Sequence, residues 1–255
     1  MLSSVLDVLG QRKQSDTAIV LGSGRSINSI SDKLWDEIQS HDTWAINNWV
    51  YHPTIVPRFY QIETKCYAYE LLNRRLKEKK EQYKNTTFLF PSGKHIRMKD
   101  GRVLPLKDVL PNGLRYFELM LAARGKRSDE SYDADYKFNV HALHKSYNMS
   151  MTMLIELLYR LDYKRVVLFG VDLYNSFYFW YGGEEKYGKF HHAFNKQHEH
   201  SDPNREHKTS RIKEFIVDFN SRHFVPNNKR IYVGYKDTAL YPMLECIDLM
   251  EEPHV

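Results

Sequence analysis

Short apolar runs alternate with longer amphipathic stretches along most of the chain. The short runs are rich in β-branched and aromatic residues, and they predict buried strands at 17–21, 42–46, 57–62, 86–90, 165–169 and 230–235. The longer stretches carry apolar residues every three or four positions, and they predict helices at 65–84, 114–123, 151–161, 209–222 and 241–250. This alternation predicts an α/β fold in which a mostly parallel sheet has helices on both faces.

Three further segments are predicted from a helix-capping sequence, from proline and glycine content, and from the absence of an apolar period. The segment Ser29-Ile30-Ser31-Asp32 is typical of a helix cap and predicts a helix containing Leu34, Trp35 and Ile38. Proline, glycine and charge in 91–113 predict irregular structure. Residues 173–207 have no apolar period, so we expect a single domain over 1–255 in which 175–208 forms a flexible lid.

The composition indicates an ordinary globular protein but does not identify its function. Hydrophobic residues make up 42% of the 255 positions and charged residues 27%, as in ordinary globular proteins. A net charge of +5 suits an anionic ligand such as a nucleotide, a phosphorylated glycan, a nucleic acid or a membrane surface. Cys66 and Cys246 match no metal or redox spacing, so we expect a cytoplasmic protein without a structural disulfide.

The N-terminal residues 1–14 are too short and too polar for a signal peptide or membrane span, and they predict a short amphipathic helix. No other apolar run approaches the length of a membrane span, so we expect none. The last residues given, Glu251-Glu252-Pro253-His254-Val255, are not basic, so we expect no attachment to a membrane through a basic tail.

Polar residues follow several predicted strands at the point where each strand ends. The first strand runs into the glycine turn Gly22-Ser23-Gly24-Arg25-Ser26, and later strands end at Asn47, at Gln61 and at Gly170-Val171-Asp172. In parallel α/β sheets ligands bind at this edge, where the loops converge. Glycine permits close backbone approach and serine offers a hydroxyl, so the turn predicts a nucleotide phosphate site, with a ligand-free tight turn as the alternative.

The turn lacks the third glycine of a dinucleotide fingerprint and the Gly-Lys-Ser/Thr of a Walker loop. Together with other segments, however, it resembles bacterial sialyltransferases of glycosyltransferase family 42. The matching segments, in chain order, are Leu21-Gly22-Ser23-Gly24-Arg25-Ser26, Ala45-Ile46-Asn47-Asn48-Trp49, Met149-Ser150, the run from Tyr163 to Tyr174, and His207 ahead of Ile212-Lys213-Glu214-Phe215.

The resemblance implies a single Rossmann-like domain with a lid that transfers a sugar with inversion, without a metal or another cofactor. Its donor would be a CMP-activated nonulosonic acid and its acceptor a hydroxyl of a glycan or glycolipid; a nucleic acid is a further candidate acceptor. The donor-binding residues it implies are Gly22, Ser23, Gly24, Ser26, Asn47, Gln61, Ser150, Gly170 and Asp172. Family members are often oligomers, so a homo-oligomer is a further expectation.

The catalytic residues implied by the resemblance are His207 as general base and Tyr174 as a donor to the departing phosphate. A second lid tyrosine, either Tyr178 or Tyr181, would assist Tyr174. Phenol groups can stabilise the charge on a departing CMP without a divalent ion. An imidazole near its ordinary pKa of about 6.5 can take a proton from an acceptor hydroxyl at neutral pH.

Two alternatives remain open at this point. Asp133-Ala134-Asp135 has the DxD pattern with which metal-dependent transferases hold manganese and a UDP-sugar, although its polar surroundings favour a surface loop. A nucleotide- or nucleic-acid-binding module without catalysis would also suit the positive charge. The histidines of the predicted lid, His191, His192, His198 and His200, resemble a metal-binding tract, but a solvated lid is favoured over a metal site.

Overall fold

The computed structural model describes residues 2–62, 66–93, 95–97, 101–119, 150–173, 178–179 and 203–251. Its centre is a sheet of seven strands. These are β1 (Thr17–Leu21), β2 (Asp42–Ile46), β3 (Phe59–Gln61), β4 (Thr87–Pro91), β7 (Arg115–Leu119), β8 (Arg165–Phe169) and β9 (Arg230–Val233). A separate antiparallel pair is formed by β5 (His95–Arg97) and β6 (Val103–Pro105).

Helices cover both faces of this sheet. They are α1 (Leu2–Arg12), α2 (Asp32–Ser40), α3 (Cys66–Glu78), α4 (Leu106–Val109), α5 (Ser150–Arg160) and α6 (Pro203–Phe219). One core cluster joins the sheet to α1, α5 and α6 through residues such as Leu9, Leu154 and Phe215. The other joins it to α2 and α3 through Ile38 and Leu72. The predicted α/β architecture with helices on both faces is therefore confirmed.

The strand order is β7-β4-β3-β2-β1-β8-β9, and every neighbouring pair is parallel. The chain builds outward from β1 to β7 on one side and then returns to place β8 on the other side of β1. Because all seven strands point the same way, their carboxyl ends share one edge, the carboxyl edge, and their first residues share the opposite, amino edge. The order reverses between β1 and β8, and this switch point is where ligands bind in open α/β sheets.

One predicted helix is wrong. Residues 114–123 were expected to be helical, but Arg115–Leu119 forms the edge strand β7 beside β4. The segment also satisfies a period of two, since Tyr116 packs in the α2 and α3 layer and Phe117 in the α1 and α5 layer. Pairing with β4 and the strand preference of these aromatic residues outweigh the helical spacing of the leucines.

The predicted helix at 241–250 is also wrong. This segment consists of turns and short extended pieces, and Cys246 forms a parallel bridge with Val233 at the end of β9. Val233 N–H donates to Glu245 O (3.0 Å) and Ile247 N–H donates to Val233 O (3.0 Å). Backbone groups that pair with a strand cannot pair along a helix, so the tertiary contact overrides the local apolar spacing.

Several other boundaries differ from expectation. The helix predicted at 65–84 ends at Glu78, and the segment 91–113, expected to be irregular, contains β5, β6 and α4. Helix α6 begins at Pro203, six residues before the predicted start at residue 209, so residues 203–208 of the expected lid are helical. The Ser31 cap is confirmed, since its hydroxyl accepts from Leu34 N–H at 3.3 Å. Within the described residues, no helix has the length and apolarity to cross a bilayer.

Candidate functional site

The loops that follow β1 and β8 meet at the switch point. Gly24 N–H donates to Gly170 O at 2.7 Å. The Ser26 hydroxyl donates to Asp172 Oδ1 at 2.5 Å, and Ser26 N–H donates to Asp172 Oδ2 at 3.2 Å. Asp172 is 3% exposed, so its carboxylate is buried between the two loops and held by these neighbours. The structure thus brings together four of the predicted donor-site residues from two distant parts of the sequence.

The same packing explains the three glycines. A Cβ at Gly22 would lie 2.3 Å from Gly170 O, and a Cβ at Gly24 would lie 2.3 Å from Asp172 Oδ2. Gly170 has a φ of +67°, and a Cβ there would lie 2.6 Å from Ile27 Cγ1. These glycines are required because the two loops approach each other closely, whereas the sequence suggested that Gly22 and Gly24 permit close approach of the backbone to a ligand. The Ser26 hydroxyl, expected to contact phosphate or ribose, donates to Asp172.

Two residues of the predicted lid, Tyr178 and Phe179, are anchored on the glycine turn. Tyr178 forms an antiparallel bridge with Gly24, and Phe179 N–H donates to Ser23 O at 3.0 Å. The Asn28 amide donates to Phe179 O at 2.7 Å. Half-buried Tyr178 therefore lies beside the turn, as a tyrosine must if it is to reach a phosphate there.

An aromatic cage fixes this anchor. The Phe179 ring is fully buried, with its centroid 5.4 Å from that of Trp49 and 5.7 Å from that of His52. The His52 ring stacks on Trp49 at 4.9 Å, and its Nδ1 accepts from Ile55 N–H at 3.1 Å. Burial of these rings stabilises the position of Tyr178 next to Gly24.

A second polar group lies where β2 and β3 end and α5 begins. The Asn47 amide donates to Ser150 Oγ at 3.2 Å, and Gln61 Nε2 donates to Ser150 O at 2.9 Å. The positive φ of Asn47, +51°, suits asparagine, which visits this region more readily than most residues. Three predicted donor-site residues that lie up to 103 positions apart are therefore in direct contact.

The orientation of the Gln61 amide follows from its partner. A carbonyl oxygen only accepts, so the nitrogen of the amide must face Ser150 O and the oxygen must face away. Gln61 is fully buried, and its Oε1 has no hydrogen-bond partner among the described residues. An unpaired buried acceptor costs about 1–3 kcal/mol. It can be satisfied by a ligand that brings an O–H or N–H group.

Tyr60 supports the cluster of Asn47, Gln61 and Ser150 through the backbone of Asn47. Its hydroxyl donates to Asn47 O and accepts from Val50 N–H at 2.9 Å. Complete burial raises the pKa of Tyr60 well above its usual value, so this phenol remains a neutral donor. The backbone of Asn47 is thus fixed at the carboxyl edge.

Several predicted residues lie outside the described residues. These are Tyr174, Tyr181, Asp133, Asp135, His191, His192, His198 and His200. The backbone of His207 is the fifth residue of α6, and its side chain is not described. Because α6 leads back to the start of β9, its N-terminal end is directed toward the carboxyl edge. Within the part of the chain that the structure describes, no group of three or more His, Cys, Asp or Glu side chains could hold a metal ion.

The structure also adds supporting residues to which the sequence alone assigned no role. Thr238 Oγ1 donates to Val171 O at 2.8 Å, and Ala239 N–H donates to Asp172 O at 2.8 Å, so the segment after β9 fixes the loop after β8. Asn28, Trp49, His52 and Tyr60 perform similar roles for the other elements. Trp49 directly follows the Asn47-Asn48 pair, and this aromatic after a polar strand end was the signal available in the sequence.

Comparisons with known proteins agree with this fold. The sequence matches no protein-family model and no curated protein. The structure is similar to the monofunctional α-2,3-sialyltransferase Cst-I from Campylobacter jejuni, with a TM-score of 0.51 and 11% identity over 94% of this chain and 83% of the other. A second match, at a TM-score of 0.47 and 10% identity over 94% and 89%, is the sialyltransferase CstII from Campylobacter jejuni in complex with CMP-3FNeuAc. The likeness to Cst-I shows a shared fold and confirms the Rossmann-like α/β domain.

Proposed function

We propose that this protein is an inverting, sialyltransferase-like glycosyltransferase that uses a CMP-linked nonulosonic acid as donor. The observation that carries the proposal is the convergence of Asn47, Gln61 and Ser150 at the carboxyl edge, with the buried Gln61 Oε1 in need of a donor group. A sugar nucleotide supplies hydroxyl and amide N–H groups for such an acceptor. The fold shared with a sialyltransferase supports the same interpretation.

The donor would lie across the switch point. Its nucleotide would contact the loops after β1 and β8, near Ser23, Ser26 and Asp172, and its sugar would contact Asn47, Gln61 and Ser150. Ser150 is the first described residue of α5, and the positive end of the helix dipole there favours an anionic group such as the sugar carboxylate or the phosphate. Apart from the Asp172 carboxylate, this arrangement uses neutral side chains and the backbone, and the proposed transfer requires no metal or other cofactor.

In the proposed reaction the acceptor hydroxyl attacks the anomeric carbon of the sugar as the bond from that carbon to the CMP oxygen breaks. His207 takes the proton of the attacking hydroxyl. Tyr174, together with Tyr178 or Tyr181, donates hydrogen bonds to the departing phosphate and stabilises its charge. Of these tyrosines, Tyr178 is the one that the structure describes, and its contact with Gly24 supports its inclusion.

A binding panel tests the proposal. The thermal stability of the full chain is measured with CMP, CDP, UDP, GDP and their sugars, each with and without EDTA. We expect CMP and CMP-sugars to raise Tm, because a ligand that binds only the native state stabilises it by an amount that grows with the ratio of its concentration to its Kd. EDTA should leave the shift unchanged, because the proposed site uses no metal. Stabilisation by UDP-sugars alone, and only with manganese, would instead favour the metal-dependent transferase with Asp133 and Asp135.

Transfer to a hydroxyl acceptor is the second part of the test. Purified protein is incubated with a CMP-nonulosonic acid and a panel of glycans and glycolipids, and released CMP and sialylated product are both quantified. Equal amounts of the two indicate transfer, and CMP release without product indicates hydrolysis. Nucleotide binding with neither reaction would favour the non-catalytic binding module.

A further inference from the structure

The amino edge of the sheet is strongly basic. Arg58 immediately precedes β3, while β7, β8 and β9 begin with Arg115, Arg165 and Arg230. Helix α1 ends at Arg12 above the same edge. None of these residues belongs to the proposed donor site, which lies at the opposite ends of the strands. The clustering of arginine at this edge therefore requires its own explanation.

The half of this edge around β8 and β9 is neutralised by carboxylates. Asp162 Oδ2 lies 2.7 Å from Lys164 Nζ, and its Oδ1 lies 2.7 Å from Lys229 Nζ. Arg230 pairs with Glu245 at 2.5 Å, and Arg165 Nε donates to Thr17 Oγ1 at 2.9 Å. The basic groups of this half are therefore paired with side chains of the protein itself.

The half around β3, β4 and β7 is different. Its fully buried carboxylate, Asp42, accepts from Gln14 N–H at 2.9 Å and from the Tyr163 hydroxyl at 2.9 Å. Arg58 Nε lies 3.0 Å from Asp42 Oδ1, an ion pair outside hydrogen-bond alignment. Since Gln14 is two residues beyond Arg12, these contacts bring the end of α1 close to Arg58.

Arg12 and Arg115 have no such partner. Neither forms an ion pair or side-chain hydrogen bond within the described residues, and Arg12 Nε is buried without an acceptor. Burial, followed by the positive charges of Arg115 and Arg58, lowers the pKa of Arg12 from its usual value. Helix α1 packs against β7, and Gln14 and Arg58 both contact Asp42, so the end of α1 lies beside the starts of β3 and β7. The three guanidinium groups are therefore carried by neighbouring elements, an arrangement that an anion would stabilise.

A hydroxyl lies at the same place. Thr87 N–H donates to Arg58 O at 2.8 Å, and Thr87 is aligned with Arg115 in the parallel register of β4 and β7. Aligned residues point to the same face of a sheet, and Phe59, which is also aligned with Thr87, packs in the α1 layer. Thr87 Oγ1 is buried and has no hydrogen-bond partner among the described residues.

We propose that Arg12, Arg58 and Arg115, with the Thr87 hydroxyl, form a second binding site, which takes a phosphate group at the amino edge. Guanidinium groups bind the oxygens of phosphate in pairs, and three of them from separate elements can surround a tetrahedral anion. The phosphate can come from free phosphate or from the headgroup of a lipid. This site is independent of the proposed glycosyl transfer, and its position rules out a shared ligand with the donor site.

Protection from arginine modification tests the site directly. The full chain is treated with phenylglyoxal at constant ionic strength, with sodium phosphate or with sodium chloride, and modification of each arginine is followed by mass spectrometry. We expect phosphate to slow modification of Arg12 and Arg115 by about tenfold, the change that corresponds to about 1.4 kcal/mol of binding. Arg25 in the glycine turn and exposed Arg74 serve as internal references. Equal rates in both salts, or protection confined to Arg25, would overturn the proposal.

A double variant and a vesicle-binding experiment complete the test. In Arg12→Gln/Arg115→Gln, phosphate is expected to lose its protection of Arg58, whereas the charge-matched Arg74→Gln/Arg222→Gln variant keeps it. Persistent protection of Arg58 in the first variant contradicts the site, and the wild-type measurement stands even if that variant does not fold. Cosedimentation with phosphatidic acid vesicles, but not with phosphatidylcholine vesicles, identifies a lipid source, and protection without cosedimentation identifies a soluble one.

Discussion

The two edges of the sheet differ in the kind of group that they carry. At the carboxyl edge, glycines, amides and hydroxyls surround one buried carboxylate, Asp172, and the contacts run between loops. At the amino edge, the contacts run between charged side chains, such as those of Asp162 with Lys164 and Lys229. Neutral groups on short, packed loops are held in nearly fixed positions. Long charged side chains at the starts of strands are partly exposed and can change conformation more easily.

This difference indicates a division of roles. Groups that are fixed by glycine packing and buried hydrogen bonds are suited to orient a substrate, since they need no rearrangement when it binds. Exposed ion pairs contribute little each, and they respond to salt and pH. Substitutions at the carboxyl edge should therefore change binding and turnover, while substitutions among the paired charges of the amino edge should change stability slightly.

The largest effect is expected at His207. Under the proposed mechanism, His207→Ala removes the group that takes the acceptor proton, and kcat should fall by about 10²–10⁴-fold. Nucleotide affinity should remain unchanged because the base contacts the acceptor and not the nucleotide. Steady-state kinetics and calorimetric titration with CMP measure the two quantities.

A matched substitution at the other end of the same helical segment is the control. His223 packs against Phe219 and Tyr159 after α6, and His223→Ala should leave kcat unchanged. If His207→Ala kept wild-type turnover, the assignment of the base would be wrong.

The next effect concerns the glycine turn. In Gly24→Ala the new Cβ would lie 2.3 Å from Asp172 Oδ2, so the Asp172 carboxylate must move and its hydrogen bonds with Ser26 are disturbed. We expect the free energy of unfolding to fall by about 1–3 kcal/mol, as for other overpacked sites. Urea denaturation measures this change. Gly10→Ala is the control because its Cβ meets nothing within 4 Å in α1, and helix propensity should make that variant more stable by up to about 1 kcal/mol.

A smaller effect on stability, but a clear one on binding, is expected at Gln61. Gln61→Leu removes the hydrogen bond to Ser150 O and also removes the unpaired buried Oε1, so the two changes in unfolding free energy largely offset each other. The affinity for a CMP-sugar should fall by about tenfold through loss of one hydrogen bond. The exposed Gln39→Leu is the control, and undiminished donor affinity in Gln61→Leu would remove this residue from the site.

The smallest effect belongs to the amino edge. Asp162 accepts hydrogen bonds from Lys164 and Lys229, and these bonds lower its pKa to about 2 from the usual 3.8. Because the folded-state pKa is the lower one, this stabilisation is complete above the usual value and is lost as pH falls toward 2. Asp162→Asn, which tolerates the φ of +58°, should cost less than about 1 kcal/mol at neutral pH.

Urea denaturation of wild type and Asp162→Asn between pH 6 and pH 2 checks this sign. The difference between the two proteins should shrink as the pH falls, and added salt should reduce it at neutral pH. A difference that grows on acidification would contradict the assigned role of the two lysines.

The sequence predicted the parallel strands well because their apolar runs are short and bounded by turns, as at Thr17–Leu21 and Arg165–Phe169. It failed at Arg115–Leu119, where an apolar spacing compatible with a helix was decided by pairing with β4. It also placed Ser26, Asn47, Gln61 and Asp172 at strand ends, but it could not show that Ser26 donates to Asp172. The roles of Tyr174, Tyr181 and the His207 side chain stay predictions.

The sequence by itself determined the α/β class, the central strands and the presence of polar residues at their carboxyl ends, because these features follow from local apolar patterns and turn residues. Tertiary structure decided which of those residues meet. The glycine turn packs on the β8 loop, Gln61 turns its amide nitrogen to Ser150, and the end of α1 meets the starts of β3 and β7. Each depends on strand order and helix packing across more than 40 residues of sequence, and no local pattern encodes such distances.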